Sequence, residues 1–204
     1  MKNKIERIDK RQELLKASYD LFTTIGIENT TIQKITDTAS VGKGTFYLYF
    51  KSKQDIKEAL IAEKSAWILT RAVESLDTHI ESSQLKLDYS ERILYIVDYI
   101  IEIFIEDPAL LKFISKYLSW GFISSHYLDQ NNVNPLSQII NLIEKKENVV
   151  LKDIRLLLFT IFELVNSTCY NVILDGVPVT IEEYKPYLFE TIKLMVKNSI
   201  KTEK

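Results

Sequence analysis

Cysteine, histidine, proline and glycine are all scarce in this sequence of 204 residues, which holds one, two, four and five of them. A lone cysteine, Cys169, excludes an internal disulfide and suits a reducing cytoplasm. So few glycines and prolines leave too few turn signals for an all-β chain, and an all-α fold is expected. His79 and His126 have no partners at metal-ligand spacing, Cys169 has no paired histidine, and no glycine-rich phosphate cradle occurs. No metal, cofactor or catalytic centre is therefore expected. Uncharged apolar runs of about 18 residues are also missing. The richest stretch, Ile154 to Val165, carries Arg155 and Glu163, so no membrane span is expected. The charged start Met-Lys-Asn-Lys-Ile-Glu-Arg meets no signal-peptide apolar core. What is abundant is hydrophobic residues, 46% of the chain, which excludes disorder and supplies the core of one large or two small domains.

The net charge of −2 hides an asymmetry. Residues 1–53 hold ten Lys/Arg against six Asp/Glu, or +4, which leaves −6 for residues 54–204. A cationic head on an acidic body suits an anionic partner, nucleic acid or a membrane surface, although charge excesses of this size also arise without function.

Periodicity places helices along the whole length. Leu14, Leu15, Ser18, Leu21, Phe22 and Ile25 follow the i, i+3, i+4, i+7 rhythm of one buried face, and Gly26 stops that helix. Thr31 is positioned to cap a short second helix through Ala39, and Ser40-Val41-Gly42 is long enough only for a tight turn. Lys43 to Tyr49 supplies about two helical turns, and Ser52 caps a long helix expected to run to about Leu76. Beyond it, helices are expected over Glu91–Glu106, after Asp107-Pro108, and from Leu136 to Lys145 after Asn134-Pro135. His126 to Val133 reads as a loop. Leu151 to Leu174 is apolar nearly all round and ends at Asp175-Gly176-Val177-Pro178. Thr180 to Glu183 is a capping box opening the last helix, in which Pro186 should produce a kink or move the start.

Three short helices with a tight middle turn describe a helix-turn-helix unit. Within it, Leu14-Leu15, Ala17, Leu21-Phe22, Gly26, Thr30-Thr31-Ile32, Ile35 and Lys43-Gly44-Thr45-Phe46-Tyr47-Leu48-Tyr49-Phe50, followed by Ser52-Lys53, resemble the DNA-binding domain of TetR-type transcriptional regulators. The resemblance implies a helix-turn-helix domain over residues 1–53 and a larger helical ligand-binding and dimerisation domain over 54–204. It also implies a double-stranded DNA operator of pseudo-palindromic sequence, a homodimer, a small-molecule ligand and cytoplasmic residence, without a membrane or an enzymatic role. Lys43 can donate to guanine, Gly44 lets the backbone approach, and Thr45 offers a methyl and a hydroxyl to base edges. Tyr47 is similar to a family tyrosine reaching backbone or base, and Tyr49 stands where a histidine commonly donates to phosphate. Thr31 and Lys53 resemble the family's phosphate anchors, and Gln33 faces an edge base. For Tyr49 a partly buried aromatic role is the competing reading. The chain departs from the family where Ser40 occupies the usual turn glycine, Gly42 the usual serine, and Thr36 a usual alanine.

In the larger domain, the apolar Leu151–Leu174 helix and the stripe of Tyr187, Leu188, Thr191, Ile192, Leu194, Met195 and Val196 suit a four-helix dimer interface, or burial within a monomer. Trp67, Tyr95, Tyr99, Tyr117, Trp120, Phe162, Asn166 and Tyr170 are candidates for a ligand cavity, against a plain core role. An apolar cavity in an acidic body suits an apolar or cationic ligand. The function expected is a ligand-responsive repressor. The alternatives are an activator or ligand-independent regulator of the same fold, and a helical module that does not bind DNA.

Overall fold

The computed structural model describes residues 2–83, 86–118 and 153–200, with side chains from residue 10 onward. Among these residues the elements are helices, with no β-strand. The chain forms two compact units, Met1–Lys64 and Ser65–Lys204.

The first unit holds α1 (Lys2–Thr24), α2 (Ile32–Thr38), α3 (Lys43–Tyr49) and the opening turns of α4 (Lys53–Ser83). Gly26, at φ +83°, turns the chain away from α1 in a conformation that a side chain resists. Thr31 caps α2, its hydroxyl accepting from the Lys34 N–H. Ser52 does the same for α4, its Oγ accepting from the Asp55 N–H at 3.1 Å while Asp55 accepts from the Lys51 N–H at 2.7 Å. The first three helices pack on one another, with Leu14, Leu15, Ile35 and Phe46 fully buried. Each such side chain stabilises the unit by roughly 1.5–3 kcal/mol. Ser18 sits in the same buried row, and its hydroxyl has no hydrogen-bond partner among the described residues.

The second unit is built from the remainder of α4, α5 (Tyr89–Glu106), α6 (Pro108–Tyr117), α7 (Ile154–Cys169) and α8 (Ile181–Asn198). Its core joins Ala72 and Leu76 of α4 to Ile93, Val97 and Ile101 of α5, Ile161 and Val165 of α7, and Leu188, Ile192 and Val196 of α8. α4 runs past the expected Leu76 to Ser83 because nothing interrupts it, and Ile80 still packs against this core. α5 starts at Tyr89, two residues early, because Asp88 and Glu91 form a reciprocal capping box. Asp107 caps α6 with Pro108 in its first turn, and Asp153 caps α7. α8 opens on the Thr180/Glu183 box and continues through Pro186, so the proline leaves the start at Ile181. Lys185 ties α8 to α5 through ion pairs with Asp98 and with Glu102, the latter at 2.6 Å. Desolvation lowers the Lys185 pKa, but hydrogen bonds and charge from the two carboxylates outweigh it and hold the ammonium above its ordinary value.

α7 does not end at Cys169 but widens into a π-helical stretch, Tyr170–Asp175, closed by Gly176 at φ +63°. Ile154–Asp175 is long and apolar enough to cross a membrane, with a mean hydropathy of 1.5. It nevertheless carries Arg155 and Glu163, and it seats Leu157, Ile161, Val165, Cys169 and Val172 in the core of the second unit. The helix expected over Leu136–Lys145 and the loop over His126–Val133 lie outside the described residues.

Candidate nucleic-acid interface and ligand cavity

The geometry of α3 follows from two phenylalanines four residues apart. Phe46 and Phe50 are buried at 0% and 3% exposure, with ring centroids 5.8 Å apart, and they hold the helix against the unit. At 100° per residue the surface opposite Phe46 belongs to the i, i+4 pair Gly44/Leu48, with Tyr47 to one side of it and Lys43 at the start of the helix. All four are exposed, Tyr47 at 57% and Leu48 at 76%. Thr45 and Tyr49 lie at the margins of this face, each half-buried. Leu48 was not among the residues singled out from the sequence, although its place one turn after Gly44 carries that information. No β-carbon at Gly44 would meet an atom within 4 Å, so packing does not require the glycine.

The turn before α3 keeps its shape despite the two departures. Ser40 adopts φ +53°, the left-handed conformation normally left to glycine, at a cost of about 1 kcal/mol. Gly42 takes the extended N-cap geometry, φ −77° and ψ 152°, without a side-chain bond. Thr36 is buried, and its hydroxyl is satisfied by the Gln33 carbonyl at 2.9 Å.

The flanking candidates have defined partners. Thr31 is exposed at the head of α2. Gln33 is exposed, its Nε2 donating to Asp37 Oδ1 at 2.5 Å. Lys53 points its ammonium into the loop between α1 and α2, donating to the carbonyls of Ile27 at 2.7 Å and Thr30 at 2.8 Å. A lysine at a helix start reads as a phosphate anchor from sequence. Here two of its three N–H donors brace a loop more than twenty residues away.

In the second unit the ligand candidates separate. A cavity of about 130 Å³ lies among α4, α5, α6 and α7. Phe162 and Asn166 line it; Trp67, Tyr95, Tyr99, Tyr117 and Tyr170 do not, and Trp120 lies outside the described residues. The walls are mostly branched aliphatics, including Ile68, Val97, Ile114 and Ile161. Tyr95 and Tyr99 border a separate polar cleft with Arg71, Ser75 and His79. There the Tyr95 hydroxyl lies 2.9 Å from Ser75 Oγ, and its ring stacks on His79 at 4.8 Å. Trp67 is 47% exposed with the Arg71 guanidinium 6.0 Å from its ring. Tyr117 packs against Phe113, and Tyr170 begins the π-helical stretch. Cys169 is buried, and desolvation pushes its thiol up to about 11 against a small opposing hydrogen bond from Thr168.

Comparison with known proteins agrees with this construction. Residues 14–60 match the model of the bacterial regulatory proteins of the tetR family. The HTH-type transcriptional repressor KstR2 of Mycolicibacterium smegmatis is 33% identical over 69 residues, which is 34% of either chain. An HTH-type transcriptional regulator of Staphylococcus aureus is 28% identical over 107 residues, 51% of this chain and 52% of the relative. This chain thus spans about a third to a half of the curated relatives it matches. The fold is shared more widely. A tetR family transcription regulator from a Shewanella species superposes with a TM-score of 0.64 at 16% identity, covering 95% of this chain and 99% of that one. The regulator FadR of Bacillus subtilis, solved with stearoyl-CoA, gives 0.53 at 20% identity over 91% and 97%. Residues 14–60 thus match the DNA-reading head of the tetR family of bacterial regulatory proteins, and the fold of solved regulators is shared along nearly the whole length.

Proposed function

We propose that this protein is a DNA-binding transcriptional regulator, a repressor that works in the cytoplasm as a homodimer and leaves its operator when a small molecule binds. The observation that carries the reading is the exposed surface of α3, Lys43, Gly44, Tyr47 and Leu48, on a helix held to the unit by the buried Phe46 and Phe50. In this reading residues 1–53 read DNA and residues 54–204 dimerise and sense. Lys43, Thr45 and Tyr47 meet base edges, and Gly44 allows close approach of the backbone. Leu48 supplies an apolar contact of the kind that recognises a thymine methyl group. Thr31, Gln33 and Tyr49 contact the flanking backbone, as does the remaining N–H donor of Lys53.

Dimerisation is supported by apolar side chains left exposed on α7 and α8. Leu156 is 62% exposed, Tyr187 70% and Leu194 60%, and such a surface on two packed helices suits a second copy. Two copies bring two reading heads to a two-fold symmetric site, with half-sites one helical turn apart or a multiple of it. Ligand in the second unit favours a state that fits both half-sites poorly. By linkage, DNA then weakens ligand binding by the same factor. Selection of binding sites from random duplexes, with light scattering on the free protein, tests this reading. A palindromic consensus and a dimeric mass are expected. A monomer at micromolar concentration, or no enriched sequence, overturns it.

A further inference from the structure

We propose that the cavity of the second unit holds a neutral, flexible aliphatic chain ending in one uncharged hydrogen-bonding group. This assignment rests on the reading of that unit as the sensor and names the chemistry that it senses. Lysine, arginine, histidine, aspartate and glutamate are absent from the walls described, where the polar residues are Ser65 and Asn166. A charged head placed there would lose its hydration and gain no counter-charge. The aliphatic walls, drawn from four helices, also offer little flat surface. Phe104 and Phe162 are the rings among the lining residues, so a large planar ligand finds few faces to stack on. A chain of methylenes gains from every branched side chain it meets, at the same burial per carbon wherever it lies.

Asn166 is the group suited to the head. It lines the cavity one helical turn after Phe162, is half-buried, and its amide makes no hydrogen bond with another described residue. A primary amide both donates and accepts, so it pairs with an alcohol or another amide without either partner carrying charge. Among the described residues, none of the acidic side chains of residues 54–204 lines this cavity, and a cationic ligand is disfavoured with the anionic one.

A ten-carbon series titrated by calorimetry into the full-length protein, without DNA, tests the assignment. 1-Decanol and decanamide are expected to bind, and decanoate and decyltrimethylammonium to bind about tenfold more weakly or less. The planar cation ethidium is expected to bind no better than the charged pair. Asn166→Leu should weaken decanamide by up to about tenfold. Ile100→Phe, which fills the cavity from a half-buried wall position, should abolish neutral binding while helical circular dichroism is retained. Equal or tighter binding of a charged member or of ethidium overturns the assignment, as does failure of both neutral members to saturate the protein. Unchanged neutral affinity in Ile100→Phe overturns it as well. Saturable decanamide binding that leaves DNA affinity unaltered supports the assignment and instead overturns the ligand-responsive part of the proposed function.

Discussion

Replacing Lys53 with methionine separates two roles that the sequence alone assigns to one. The methionine keeps the apolar stem and removes the ammonium that donates to the Ile27 and Thr30 carbonyls. Two hydrogen bonds from a charged donor contribute roughly 1.5–3 kcal/mol each when fully shielded from water. Lys53 is half-buried, and water partly replaces the lost donor, so the loss expected is about 2 kcal/mol in total. Trp67 and Trp120 both lie beyond the first unit, so tryptophan fluorescence does not report on it, whereas amide hydrogen exchange does. A loss of about 2 kcal/mol accelerates exchange roughly 30-fold at amides protected by unfolding of this unit. Peptides covering α2 and α3 should show that acceleration in Lys53→Met. The exposed control Lys51→Met should exchange like the parent. Unchanged exchange in Lys53→Met, with a DNA salt slope lowered by about 1, would refute the bracing role and leave Lys53 as a phosphate anchor alone.

Three other outcomes follow from the same geometry. Ser40→Gly relieves a residue at φ +53° and should raise the stability of the first unit by about 1 kcal/mol in urea titration, with DNA affinity retained. Gly44→Ala meets open space and should add up to about 1 kcal/mol to α3. It should also lower DNA affinity about tenfold in mobility-shift assays, because the new methyl separates the backbone from the groove. Cys169, buried and with its thiol raised to about 11, should react with an aromatic disulfide reagent on the order of 100-fold more slowly in the native protein than in denaturant.

Local chemistry made much of the fold legible in the sequence. Caps at Thr31, Ser52, Asp107 and Thr180 are short-range hydrogen bonds between residues a few positions apart. The spacing of Phe46 and Phe50 likewise determines which face of α3 is buried. The capping box at Asp88 and Glu91 is equally local, and it moves the start of α5 two residues ahead of the apolar periodicity. Long-range partners are a different matter. Nothing near Lys53 announces that its ammonium reaches Ile27 and Thr30, because that contact depends on the packed unit. The cavity was obscured for another reason. Ile68, Val97 and Ile161 obey the same periodicity whether they fill a core or line a space within it, so periodicity does not mark them as cavity walls. Of the aromatics proposed for it, Phe162 alone lines that space among the described residues.

The central claim is that the exposed face of α3 reads a two-fold symmetric DNA site. Footprinting of the full-length protein on genomic fragments tests it most directly. The account predicts two protected tracts with centres about 10 base pairs apart, or a multiple of that spacing. It further predicts that Lys43→Ala and Tyr47→Ala each lose roughly 1–3 kcal/mol of that binding. Absence of any protected palindrome, or protection indifferent to both substitutions, would contradict it.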